Sequence, residues 1–138
     1  MNLEQRFYIQ HKKTKLCWSA ETDSTSNVSI SLSRNCTLQF IYTLDKNILE
    51  FNTKKCVQVN GDIDVNDSPI VLSSVCEGTN TIWNWENGFW KLAGNGKCIH
   101  LFNSHLPAHE GKKLVLFEGC RNAVNVFQRV QGKYTIYN

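Results

Sequence analysis

The 138-residue chain lacks the features that mark several large classes of protein. No apolar run approaches the roughly 18 residues that a membrane-spanning helix needs, so we predict no membrane insertion. No block of five or six like charges occurs, and the formal net charge of +3 is too mild to predict a nucleic-acid partner. The chain also has no G-x-S-x-G sequence and no recognisable pair of carboxylates. We therefore predict that the protein is not an enzyme.

Two patterns that resemble metal sites are incomplete. His105 and His109 are four residues apart, as on a zinc-binding helix, but Pro107 lies between them in a loop-like context. The segment DIDVND at 62–67 begins like a calcium-binding loop, yet Asp67 stands where that loop needs glycine. We predict neither a metal nor any other cofactor.

Six cysteines are present and none of them forms a C-x-x-C pair, which argues against a zinc or thiol-redox site. An even number at wide, regular spacing is typical of disulfides formed in an oxidising compartment. We therefore expect a secreted or extracellular protein. The first fifteen residues lack the apolar segment of a signal peptide, so we expect either a start that is not the natural one or export by another route.

The cysteine positions reveal an internal repeat. The first, third and fifth cysteines are 39 and 42 residues apart, and the other three are 40 and 44 apart. These spacings predict one domain over 1–138 made of three units of about forty residues, near 7–48, 49–88 and 89–138. Six cysteines allow 15 pairings, and pairing within each unit selects one of them. The predicted disulfides are Cys17–Cys36, Cys56–Cys76 and Cys98–Cys120.

Each unit carries the pattern of β-strands. Apolar and polar residues alternate over short stretches such as VSISL, PIVLS and KLVLF, with turn signals between them that include Asn87-Gly88. No stretch has a convincing helical stripe. A propeller typically needs four or more blades, and a solenoid would show a simpler leucine ladder and capping repeats. We therefore predict an all-β fold, a β-trefoil of three units with pseudo-threefold symmetry.

An aromatic residue follows the second cysteine of each unit: Phe40, Trp83 and Phe127. The densest aromatic segment, IWNWENGFWKLAGNGKC at 82–98, joins the second unit to the third. We expect Trp83 and Phe89 to fill a shared core, whereas Trp85 and Trp90 alternate less clearly and are expected nearer the surface.

The triple cysteine pattern resembles that of ricin-type (R-type) β-trefoil lectin domains over nearly the whole chain. The Gln-x-Trp motif of that family is degraded here to Thr81-Ile-Trp83 and Asn125-Val-Phe127. This erosion is similar to that in the cysteine-rich domains of mannose-receptor-type proteins. The resemblance implies a carbohydrate-binding protein whose partner is a glycan or glycoprotein, acting as a homo-oligomer or as a module of a larger receptor.

The resemblance also implies where a sugar would bind. The family places an Asp two residues after the first cysteine, an aromatic near the second cysteine and an amide after it. Only the third unit keeps an aromatic at its position, Phe117, together with Asn125 as the amide and His100 in place of the Asp. Asn103 and His105 lie on the intervening loop. We therefore predict one galactose- or GalNAc-type site in the third repeat, with these five residues.

The same disulfide loop contains Lys112 and Lys113 beside its histidines. These cations raise an alternative ligand for the site, an anionic sugar that is sulfated or sialylated. Binding of such a sugar would weaken with salt and with rising pH.

A different class of function also fits the predicted fold. Trefoils support several roles, so a protein-binding module, such as a receptor ligand or protease inhibitor, is the alternative to a lectin. Phe117 and His100 facing one pocket would favour a lectin, whereas a protruding loop with exposed side chains would favour protein binding.

Overall fold

The computed structural model describes residues 5–25 and 27–132, and its regular structure consists of strands and two short 3₁₀ turns. None of the helical segments in these ranges is long and apolar enough to cross a membrane. The strands of the first repeat are β1 (Phe7–His11), β2 (Cys17–Ser19), β3 (Val28–Ser29), β4 (Ser31–Ser33) and β5 (Phe40–Tyr42). Those of the second repeat are β6 (Ile48–Glu50), β7 (Cys56–Val59), β8 (Ser68–Ser73) and β9 (Trp83–Glu86), with a 3₁₀ turn at Thr79–Thr81. The third repeat has β10 (Phe89–Leu92), β11 (Cys98–Leu101), β12 (Leu114–Phe117) and β13 (Phe127–Gln131), with a 3₁₀ turn at Ala123–Asn125.

The predicted disulfides are confirmed, since each repeat closes its own pair of cysteines. The Cα atoms of the three pairs are 5.3, 5.6 and 5.5 Å apart in chain order. In every repeat the first cysteine begins a strand that pairs with the strand just before the second cysteine: β2 with β4, β7 with β8 and β11 with β12. Each disulfide therefore lies at the end of a hairpin, and its loop of about twenty residues contributes roughly 3 kcal/mol by constraining the unfolded chain.

The hairpins of neighbouring repeats are joined in a cycle. In each repeat, the residues at or just before the second strand of the hairpin pair with the hairpin of the next repeat. In chain order, β3 pairs with β8, the start of β8 pairs with β12, and Lys113 pairs with Ser31. The strands β1 and β13 pair over five residues, which joins the two ends of the described chain. This cycle places the loop of each repeat beside the hairpin of the following one.

The core is built around the repeated aromatics. Phe40, Trp83 and Phe127 are buried as predicted, with at most 1% of each residue exposed. Trp18 lies among them and is 0% exposed, with its ring centroid 6.0 Å from that of Phe40 and 5.3 Å from that of Phe127. The aromatic that follows each second cysteine therefore contributes to one shared core.

The expectation for the aromatics of β9 and β10 was partly wrong. Trp90 is 0% exposed and belongs to the core, whereas Phe89 is only half-buried. The two-residue turn Asn87-Gly88, with φ of 51° and 86°, pairs Trp85 with Trp90 and Glu86 with Phe89. Residues that face each other across a two-residue hairpin share a side of the sheet, so Trp90 faces the core with Trp85, and Phe89 faces outward with Glu86.

His11 at the end of β1 is a buried histidine that is satisfied in its neutral form. Its Nε2 lies 2.7 Å from the carbonyl oxygen of Val124 and must carry the proton, because a carbonyl only accepts. Its Nδ1 then accepts from the Thr14 hydroxyl at 2.7 Å and from the Thr14 amide at 3.3 Å. Burial lowers the pKa of His11, while the bond to Val124 acts in the opposite direction and the charge of Lys13 lowers it further.

We expect the free energy of unfolding to fall on acidification because of this histidine. Between the lowered pKa of the folded state and the ordinary value of about 6.5, the unfolded chain binds more protons, so stability rises with pH. The contribution is fully present above about pH 6.5 and is lost as pH falls through the folded pKa. Urea unfolding at pH 7.5 and pH 5 should show a smaller acid-induced loss for His11→Gln than for the exposed control His109→Gln. Equal losses in both variants would contradict this role.

Candidate functional site

A cavity of about 250 Å³ opens beside the hairpin of the third repeat. It brings together four of the predicted site residues: His100, Asn103, His105 and Phe117. The remaining lining residues are Asp67, Leu101 and Ser104. The cavity combines one aromatic side chain with several hydrogen-bonding groups, as small-ligand sites commonly do.

The wall of the cavity is formed by His100 on β11 and Phe117 on β12. Their ring centroids are 5.3 Å apart at an interplanar angle of 41°. His100 is 7% exposed, whereas Phe117 is half-buried and keeps part of its ring accessible. The strand register sets this arrangement, because Phe117 lies opposite Cys98 in the antiparallel pair. His100 is two residues after Cys98 and therefore lies on the same side of the sheet as Phe117.

His100 presents a neutral imidazole. Its Nε2 lies 2.7 Å from the carbonyl oxygen of Gly119 and therefore donates, which leaves Nδ1 as an acceptor. Burial lowers the pKa of His100, and this effect exceeds the opposing influences of the Gly119 bond and the negative charge of Asp67. The ring can therefore accept a hydrogen bond at neutral pH.

Asp67 is the residue that the sequence analysis missed. It belongs to the loop of the second repeat, which reaches this hairpin because the Asp67 amide donates to the Leu116 carbonyl at 2.8 Å. Its φ of +69° puts it in the left-handed region, which aspartate tolerates better than most residues. The carboxylate in the cavity thus comes from the preceding repeat, whereas the family pattern predicts an Asp from the same repeat as the aromatic residue.

A signal for Asp67 does exist in the repeat. Asp67 precedes Cys76 by nine residues, and Gly111 precedes Cys120 by the same number. Gly111 also has a positive φ, +88°, and its amide donates to the Leu32 carbonyl of the first repeat at 2.7 Å. Alignment of the loops as well as the cysteines makes Asp67 equivalent to Gly111, and the structure shows that this position reaches the hairpin of the following repeat.

Asn125 does not line the cavity, contrary to the prediction. It is 0% exposed, and its Oδ1 accepts from the Leu101 amide at 3.0 Å beneath β11. Its amide oxygen is occupied by the backbone of the same repeat, so Asn125 positions β11.

The two predicted anion-binding lysines also fall outside the cavity lining. The Nζ of Lys112 lies 2.8, 3.0 and 3.3 Å from the carbonyl oxygens of Asn103, Leu106 and Pro107. Lys112 is 6% exposed, so its three donors are occupied in bracing the loop from within. Lys113 is exposed, its backbone pairs with Ser31 of the first repeat, and it does not line the cavity.

This lysine brace shapes the loop that carries the remaining polar groups. Asn103 has a φ of +51°, and its carbonyl also accepts from the Leu106 amide at 2.9 Å. The resulting turn presents Asn103, Ser104 and His105 to the cavity. Of the lining residues only Asp67 carries a fixed charge, so the site is arranged for hydrogen bonds rather than for an anion.

The equivalent positions in the other repeats lack an aromatic. Ser33 and Ser73 replace Phe117, while Ser19 and Gln58 replace His100. A cavity of about 360 Å³ lies at the hairpin of the first repeat, lined by Ser19, Ser33 and Glu110 among others, with no aromatic side chain among its lining residues. Across the described ranges, no group of three or more His, Cys, Asp or Glu residues could hold a metal ion.

No family model and no curated protein sequence matches this chain. Similarity appears instead among solved structures. The chain superposes on the agglutinin from Abrus precatorius with a TM-score of 0.73 and 17% identity, over 94% of this chain and 49% of that one. It thus spans about half the length of that agglutinin chain.

Two further structures match over nearly their whole length. The C-half of the earthworm R-type lectin in complex with GalNAc gives a TM-score of 0.73 at 8% identity, over 93% of this chain and 99% of that one. The β-trefoil lectin of the Vibrio vulnificus hemolysin, with N-acetyl-D-lactosamine bound, gives 0.71 at 11% identity, over 98% and 100%. The prediction of an all-β trefoil is confirmed, and the chain has the β-trefoil fold of R-type lectins.

Proposed function

We propose that this protein is a lectin that binds a neutral, galactose- or GalNAc-type glycan in the cavity of the third repeat. The observation that carries the proposal is the presence of the Asp67 carboxylate and the half-buried Phe117 ring in one cavity. The apolar face of a pyranose ring packs on an aromatic side chain, and a carboxylate accepts hydrogen bonds from its hydroxyls. Asn103, Ser104 and the neutral His100 supply further partners.

The charges at the cavity favour a neutral sugar over an anionic one. The Lys112 ammonium is occupied by backbone carbonyls, and Lys113 does not line the cavity. Asp67 would repel a sulfate or a sialic acid carboxylate at this site. The three disulfides support a secreted or extracellular protein. We expect the protein to act by reversible binding of a glycan or glycoprotein.

The test is a glycan array with the purified chain at low and at physiological salt. We expect hits with terminal galactose or GalNAc that change little with salt. Phe117→Ala should weaken them about tenfold or more through the lost stacking surface. Phe102→Ala is the matched control, since Phe102 is 43% exposed on the loop after β11 and does not line the cavity.

A folded protein with a blank array would contradict the proposal and favour the protein-binding alternative. Phe102 and Leu106, which is 50% exposed, lie on the loop next to the cavity. These exposed apolar side chains are where a protein partner would then be sought.

A further inference from the structure

A second cavity lies further along the three strands, β5, β9 and β13, that begin with the core aromatics. Two residues after Phe40, Trp83 and Phe127 stand Tyr42, Trp85 and Arg129. Because these three positions are equivalent in the three repeats, their side chains converge near the pseudo-threefold axis. Together with Asn84 and Glu86 they line an open cavity of about 500 Å³, here called the axial cavity.

Arg129 is exposed and lies beside two aromatic rings. Its Cζ lies 5.3 Å from the centroid of the Trp85 ring and 5.3 Å from that of Phe7. Such cation–π contacts orient a guanidinium without using its N–H donors. Among the residues that the structure describes, the Arg129 guanidinium forms no ion pair or hydrogen bond. An exposed cation, whose N–H donors are not used by the described residues, therefore lines the axial cavity.

The charge around the axial cavity is positive. Its one acidic residue, Glu86, is already paired, with Oε2 at 3.6 Å from the Nζ of Lys91. An adjoining cavity shares Trp85 and Arg129 and adds Lys12, an exposed cation. The electrostatic balance at this end of the molecule is thus opposite to that of the third-repeat cavity, where Asp67 is the fixed charge.

The remaining walls are aromatic or amide groups. Trp85 is half-buried against Trp90, with ring centroids 4.5 Å apart, and Tyr42 packs on Trp90 at 5.3 Å. The Tyr42 hydroxyl donates to the Trp83 carbonyl, and burial raises the pKa of Tyr42, so it stays neutral beside Arg129. The Asn84 amide group has no hydrogen-bond partner within the described ranges, which leaves it available to a ligand.

We propose that the axial cavity is a second ligand site, which binds the oxyanion of an acidic saccharide. The Arg129 guanidinium takes the carboxylate or sulfate through parallel N–H donors. Asn84 bonds to a ring hydroxyl, and Tyr42 and Trp85 provide an apolar wall for the sugar. This site lies apart from the disulfide hairpins, so it is independent of the galactose-type site proposed above. Two different sites on one chain would let the protein bind two kinds of sugar at once.

The experiment is calorimetric titration of the full chain with glucuronate, galactose 6-sulfate, galactose and inorganic sulfate, with the Trp indole N–H signals followed by NMR. We expect at least one acidic sugar to bind, to weaken with added salt, and to shift the Trp85 indole. Arg129→Gln should weaken that binding about tenfold or more, because one charge-assisted pair is lost. The affinity of Arg129→Lys for the acidic sugar should lie between those of the parent and Arg129→Gln, because lysine keeps the charge but lacks the planar set of donors.

The controls separate this site from the third-repeat cavity. Arg34→Gln removes an exposed arginine elsewhere and should leave acidic-sugar binding unchanged. Phe117→Ala should lose binding of galactose and keep binding of the acidic sugar, whereas Arg129→Gln should do the reverse. The two proposed sites can therefore be tested, and refuted, independently of each other. A preference for glucuronate assigns a carboxylate, and a preference for galactose 6-sulfate assigns a sulfate. Equal binding of inorganic sulfate, or acidic-sugar binding that persists in a folded Arg129→Gln protein, would overturn the proposal.

Discussion

Replacing Asp67 by asparagine is expected to weaken binding of a galactose-type sugar by roughly 30- to 150-fold, or about 2–3 kcal/mol. The carboxylate is the one fixed charge among the residues that line the third-repeat cavity. Hydrogen bonds from sugar hydroxyls to a carboxylate are stronger than those to an amide, and asparagine offers one acceptor oxygen instead of two. Calorimetric titration of both proteins with galactose and GalNAc measures the difference.

Asparagine is chosen because it preserves the backbone conformation of the loop. Asp67 has a φ of +69°, and asparagine tolerates the left-handed region as aspartate does. The variant should therefore unfold at nearly the same urea concentration as the parent. Asp64→Asn is the matched control, because Asp64 is exposed in the same loop and does not line the cavity. Equal affinities for the parent and for Asp67→Asn would show that Asp67 does not contact the sugar, and they would contradict the proposal of a galactose-type site.

Trp18→Ala is expected to lower the free energy of unfolding by about 3–5 kcal/mol. Trp18 is 0% exposed, and its ring contacts aromatic residues of the first and third repeats: Phe40, Trp90 and Phe127. Its removal would leave a cavity where the repeats meet, which backbone held by disulfides cannot readily close. Guanidinium unfolding with the disulfides intact measures the loss.

Trp18→Phe provides the control for this prediction. The Trp18 Nε1 is buried and has no hydrogen-bond partner among the described residues, so phenylalanine removes volume without breaking a polar contact. Trp83→Phe should cost more than Trp18→Phe, because the Trp83 Nε1 donates to the Val57 carbonyl at 3.0 Å. A loss below about 1 kcal/mol for Trp18→Ala would show that the core does not depend on this residue.

The register of the aromatic hairpin could have been predicted more fully. The turn Asn87-Gly88 was recognised from the sequence, and a two-residue turn dictates that residues 85 and 90 are partners. Applying that rule would have placed Trp90 with Trp85 on the core side and Phe89 outside. Alternation within a single strand does not reveal this arrangement, because a turn of defined length couples the two strands.

The errors at the site have a different cause. Asn125 and Lys112 have residue types that bind sugars or anions, and both lie in the loop or repeat that forms the cavity. Their side chains are nevertheless used by the backbone, Asn125 by Leu101 and Lys112 by three loop carbonyls. Which polar groups the backbone occupies depends on how the loop closes, and spacing along the chain does not report it.

The amino-acid sequence was sufficient to predict the three repeats, the three disulfides, the strand content and the buried aromatic after each second cysteine. These properties follow from covalent spacing and from short-range periodicity, which are local to each repeat. Two other groupings required the folded structure: Asp67 of the second repeat lies with Phe117 of the third, and Tyr42, Trp85 and Arg129 line one cavity. Both groupings arise because the repeats close in a cycle, which brings together side chains that are far apart in the chain.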